Sequence, residues 1–68
     1  MKDTRKLITD TAIELFKEKG YENTTVTDIC KTSGITKGTF YYHFPNKDEI
    51  TREFYEQIYQ DFQDVFFD

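Results

Sequence analysis

The sequence predicts an all-α chain: three short helices in a helix-turn-helix arrangement, followed by the start of a long fourth helix. Three observations carry that prediction. Apolar residues return at helical spacing in every segment. Gly20, Gly34 and Pro45 break the chain at intervals that leave room for short helices only. A capping residue (Thr25, Thr36 or Asn46) follows each break before the next helical run begins.

The first helix is expected over about residues 3–19. Asp3 or Thr4 caps its start, and Gly20 ends it after Lys17 and Lys19. Ile8, Ala12, Leu15 and Phe16 share its buried face, flanked by Leu7 and Ile13. Tyr21 to Thr24 reads as a short polar connection. Thr25-Val26-Thr27-Asp28 then fits a capping box, in which the Thr25 hydroxyl and the Asp28 carboxylate satisfy each other's free backbone N–H groups. The second helix, 26–33, turns Val26, Ile29, Cys30 and Ser33 to one side and stops at Gly34, where a positive φ carries little steric penalty. Thr36 caps the third helix, 37–43. Ile35 before it and Phe40 within it stand at the spacing of a hydrophobic staple, and Phe40 and Phe44 point inward. Asn46 and Glu49 open the fourth helix, 47–68. One of its faces carries Ile50, Phe54, Ile58 and Val65; a second carries Tyr55, Tyr59, Phe62 and Phe66. A three-helix core needs one such face, so the second is surplus.

With 68 residues the chain holds one small domain. Its single cysteine, Cys30, excludes an internal disulfide and suits a reducing compartment. No apolar run has the length of a membrane span or a signal-peptide core, which makes a cytoplasmic location the expectation. One Cys and one His cannot furnish a zinc site, no glycine-rich phosphate loop is present, and no side chain is arranged to orient His43 as a base for Cys30. The sequence therefore predicts no enzyme, no metal and no cofactor. A net charge of −4 argues at first against nucleic acid. The distribution reverses that argument. Residues 1–47 carry eight Lys and Arg against six Asp and Glu, whereas residues 48–68 carry one against seven. Between Thr25 and Lys47 there are three Lys against one Asp, with His43 in addition.

The stretch from Thr25 to Phe44 is where chemistry concentrates. With Phe40 and Phe44 turned to the core and about 100° per residue, Gly38 and Tyr42 point away, flanked by Thr39 and Tyr41. Lys37 stands on the first turn, the end that enters a groove most deeply when a recognition helix docks. Gly38 permits close backbone approach, Thr and Tyr offer hydroxyls and apolar surface, and Lys reaches guanine or phosphate. His43 falls where a backbone phosphate could lie. Lys47, at a helix N-terminus, is unfavourable there unless an anion is near, which suits a phosphate ligand. Thr27 faces out one turn into the second helix.

These residues resemble the N-terminal DNA-binding domain of the tetracycline-repressor (TetR) family of transcriptional regulators. The matching parts are Leu15-Phe16 before Gly20-Tyr21, then Thr24-Thr25-Val26 and Asp28-Ile29. They continue with the run from Gly34 to Phe44, followed by Asn46-Lys47. Cys30 departs from the pattern, which more often has alanine there. The resemblance implies a homeodomain-like helix-turn-helix domain over 1–46 and, from 47 to 68, a connector helix leading to a C-terminal ligand-binding and dimerisation domain that this stretch does not contain. It implies double-stranded DNA with a palindromic operator as partner. For the parent protein it implies a homodimer and a small-molecule inducer, and no membrane partner. It places DNA-backbone contacts at Thr25, Thr36, Thr39, Tyr41, His43 and Lys47, and base contacts mainly at Thr27, Lys37, Gly38 and Tyr42. The chain accordingly reads as a fragment of a longer repressor. The competing reading is a small helical protein-interaction module that docks a partner through Tyr55, Tyr59, Phe62 and Phe66.

Overall fold

The computed structural model describes the backbone of residues 3–67 and the side chains of residues 3–56 and 58. Four helices follow in order: α1 (Thr4–Lys19), α2 (Val26–Ser33), α3 (Lys37–His43) and α4 (Lys47–Phe67). Among the described residues there is no strand, so the expected all-α class holds.

Local chemistry sets each helix end. Asp3 caps α1 by accepting from the Lys6 N–H at 3.1 Å, and Gly20 closes it with φ 88°. The Thr25–Asp28 box at the start of α2 is complete in both directions, each bond 3.1 Å. Gly34 sits in the left-handed region (φ 74°, ψ 34°), and its N–H and that of Ile35 both reach the Cys30 carbonyl. A Cβ at Gly34 would meet nothing within 4 Å, so the need for glycine there is torsional, not steric. The Thr36 hydroxyl accepts from the Thr39 N–H and starts α3, and Asn46 does the same for Glu49 at the start of α4. Phe44 is extended (φ −137°, ψ 129°) and ends α3 just ahead of Pro45.

The core is Ile8 and Ala12 from α1, Ile29 and Cys30 from α2, Phe40 and Phe44 from the α3 segment, and Ile50 from α4, with Leu15, Phe16, Val26 and Ile35 packed around it. Phe40 and Phe44 are its largest members, their ring centres 6.1 Å apart.

Two expectations need amendment. Ile58 shares a face of α4 with Ile50 and Phe54 but is 46% exposed, because the three-helix core covers only the first two turns of that helix: Ile50 is buried and Phe54 half-buried. The Tyr21 to Thr24 connection is not merely polar. Thr24 is fully buried, its hydroxyl donating to the carbonyls of Gly20 (2.8 Å) and Leu15 (3.3 Å), which folds the connection back onto the end of α1. Of the surplus aromatic face, Tyr55 is 63% exposed. The side chains of Tyr59, Phe62, Val65 and Phe66 lie outside the described residues.

Candidate nucleic-acid interface

The outer side of α3 is built by what its inner side buries. Phe40 and Phe44 are held in the core, which turns Tyr42 outward until it is 84% exposed. Lys37 and Gly38 are exposed beside it, Tyr41 is 51% exposed, and Thr39 and His43 are half-buried at the flanks. Tyr41 meets Phe40 edge-on at 5.3 Å, and Tyr42 meets His43 edge-on at 5.0 Å, so each exposed ring leans on a neighbour. A Cβ on Gly38 would find Thr36 Oγ1 at 3.7 Å as its nearest neighbour, an ordinary contact. The fold therefore does not require glycine at position 38.

The threonines have prior duties. Thr25 and Thr36 each accept a backbone N–H at a helix start, and Thr36 and Thr39 share a hydroxyl–hydroxyl bond of 3.1 Å. Thr25 and Thr36 are exposed at the two caps. Thr27 is exposed on α2. Asp28, the one acid between Thr25 and Lys47, is held in its charged form. The Thr25 backbone N–H first, then Lys19 at 3.1 Å and the Thr25 hydroxyl, hold its carboxyl below the ordinary range. Burial pushes the Cys30 thiol up, partly offset by Lys37, and the thiol points to the Thr36 carbonyl at 3.7 Å. A protonated buried thiol is a packing group, not a nucleophile.

Lys47 is where the structure adds most. Its ammonium donates to the carbonyls of Tyr21 (2.7 Å) and Thr24 (2.8 Å) and lies 4.2 Å from the centre of the Tyr21 ring. Those three contacts offset the unfavourable position of a cation at the start of α4 without any external anion. One of the three ammonium protons is left over. Sequence reasoning missed this cage, and it missed Arg5, which grips Glu53 and the His43 carbonyl. Both link residues 23 to 48 positions apart, for which a one-dimensional pattern holds no signal. Two clefts run along the α1–α4 seam and neither is lined by an α3 residue; among the described residues no group of three or more His, Cys, Asp or Glu is placed to hold a metal ion.

A capped, glycine-turned helix pair whose second member presents Lys, Gly and Tyr outward, on a core that fixes its inner side, is a DNA-binding helix-turn-helix. Comparison with known proteins agrees. Residues 8–54 match the family described as bacterial regulatory proteins, tetR family. The chain belongs to that family and constitutes its DNA-binding module. It is 49% identical over 57 residues to the icaADBC biofilm-operon HTH-type negative transcriptional regulator IcaR of Staphylococcus epidermidis, covering 84% of this chain and 31% of that protein. It is 37% identical over 54 residues to the HTH-type regulator AcrR of Shigella flexneri, covering 79% and 25%. In three dimensions it resembles Thermus thermophilus FadR, a TetR-family transcriptional repressor solved with lauroyl-CoA. The TM-score is 0.87 at 30% identity, over 90% of this chain and 31% of that one. The chain thus spans about a third or less of the length of these relatives. These relatives are transcription regulators, not enzymes.

Proposed function

We propose that the chain is the operator-reading part of a repressor, with α3 lying in the major groove of double-stranded DNA. The observation that carries this is the exposure of Tyr42, 84%, directly opposite the buried pair Phe40 and Phe44 on a helix of seven residues. Such a helix is about 10 Å long, comparable with a groove about 12 Å wide. Thr27, Lys37, Gly38 and Tyr42 take the base edges. Thr25, Thr36, Thr39, Tyr41, His43 and the remaining proton of Lys47 take the phosphates. In the parent protein two copies read successive major grooves of a palindrome, about 34–36 Å apart. Residues 1–46 form the reading domain, and α4 leads to the part that dimerises and senses a small molecule in the cytoplasm. The acyl-CoA complex of the Thermus relative supports an effector of that general kind. No described helix is long and apolar enough to cross a membrane.

Titrating the labelled chain with a random-sequence duplex tests the reading. Amide shifts at residues 36–47, with Thr25 and Thr27 of α2, support it. The second reading, a protein-docking module, is favoured by the exposure of Tyr55 and Ile58 (63% and 46%). Under that reading the duplex leaves residues 36–47 unmoved.

A further inference from the structure

Arg5 holds three groups at once. Its Nη1 donates to the His43 carbonyl at 2.8 Å. Its Nε donates to one Glu53 oxygen at 3.3 Å, and Nη2 pairs with the other. Its guanidinium carbon lies 4.3 Å from the centre of the Phe44 ring. One side chain of α1 therefore touches the end of α3 and the second turn of α4 together.

The end of α3 needs such a partner. No glycine follows it, and Phe44 leaves in an extended conformation, so the His43 carbonyl has no place in the helical ladder. A guanidinium there satisfies that oxygen and meets the negative end of the helix dipole. The pair with Glu53 is half-exposed on both sides, where ion pairs add little stability. Its two-pronged geometry, with the carbonyl and the ring as further anchors, constrains direction instead.

We propose that Arg5 is a positioning residue for DNA recognition: by tying the C-terminal end of α3 to α1 and to Glu53 of α4, it sets the angle at which the reading face meets the groove. The proposal rests on the reading that α3 enters the major groove. It also makes α4 and α3 one mechanical unit, since any rotation of α4 that moves Glu53 pulls on the guanidinium that holds His43.

The test uses the full chain and two duplexes, one that the wild-type chain selects from a random-sequence pool and a scrambled version of it. For Arg5→Ala the expected result is affinity for the selected duplex lower by about tenfold, with the scrambled duplex nearly unaffected. The salt dependence stays as in wild type, and the amides of His43 and Phe44 shift in the free protein. Arg5→Lys keeps the charge but lacks the fork, and is expected to stay several-fold weaker. Glu53→Gln, which keeps a neutral acceptor, is expected to lower the ratio about threefold and serves if Arg5→Ala does not fold. Full recovery in Arg5→Lys overturns the proposal. So does equal weakening on both duplexes with a salt slope reduced by about 0.9, the mark of a lost phosphate contact. An unchanged ratio in both Arg5→Ala and Glu53→Gln overturns it as well. If the wild-type chain selects no duplex, the DNA reading fails and the proposal with it. If the wild type binds and the variants discriminate as well as it does, only the proposal fails.

Discussion

The ammonium of Lys47 donates to the Tyr21 carbonyl at 2.7 Å while lying 4.2 Å from the centre of that residue's ring, so the first residue of α4 is fastened to the α1–α2 connection. Arg5 fastens the end of α3 to α1 and α4 from the other side. The reading helix is thus bounded by two cations whose main partners are inside the protein.

Lys47 should accordingly have a double signature. Lys47→Ala removes charged hydrogen bonds to two carbonyls, and about 2–3 kcal/mol of stability is expected to go with them. In the fraction that remains folded, affinity should fall alike for all DNA sequences, with a salt slope smaller by about 0.9. Urea unfolding and binding isotherms at several salt concentrations separate the two effects. A salt slope equal to that of wild type would confine Lys47 to the structural role.

Tyr42 and Lys37 should behave oppositely. Both are exposed, so replacing either by alanine is expected to change stability by less than about 0.5 kcal/mol. Discrimination between a selected and a scrambled duplex should nevertheless drop by about 1–3 kcal/mol. Competition binding reads this directly, and retained discrimination in both variants would remove α3 from base reading.

Gly38→Ala offers a variant in which stability and function part company. The new Cβ fits, its nearest neighbour at an ordinary contact distance of 3.7 Å, and alanine favours the helix by up to about 1 kcal/mol. Thermal unfolding should move up slightly while DNA affinity falls, because the methyl keeps the backbone from the groove. A variant that is both more stable and equally tight would show that no close approach occurs there.

Acid should loosen the α2 cap. In the folded state the Asp28 carboxyl titrates below the ordinary carboxylate range because the Thr25 N–H, Lys19 and the Thr25 hydroxyl favour its charged form. A lowered folded value means that its contribution is present above the unfolded pKa and is lost as pH falls through the folded one. Denaturant midpoints from pH 6 downward are expected to decline below about pH 4, and Asp28→Asn should flatten that decline. A wild-type curve no steeper than that of the variant would contradict the assignment.

The core should tolerate little. Phe40→Ala removes a fully buried ring and is expected to cost about 3–5 kcal/mol, enough to unfold so small a domain. Thr24→Val keeps the volume but leaves the Gly20 carbonyl without its hydroxyl donor, with an expected loss of about 1 kcal/mol. Circular dichroism during thermal unfolding orders the two variants.

Much of this molecule is local and was therefore legible in order along the chain. The Thr25–Asp28 box, the left-handed Gly34, the Thr36 cap and the stop at Pro45 are decided within four residues, by torsions and by backbone groups that need partners. Phe40 and Phe44, four positions apart, fixed the inner side of α3 and hence which residues face away. The tertiary structure decided what depends on distant neighbours. It buried Thr24, left Ile58 uncovered where the core ends, enclosed Lys47 between two carbonyls and a ring, and gave the end of α3 to Arg5. Capping and periodicity are short-range properties of a helix. The partners of a long cationic side chain depend on which helices the core brings within its reach.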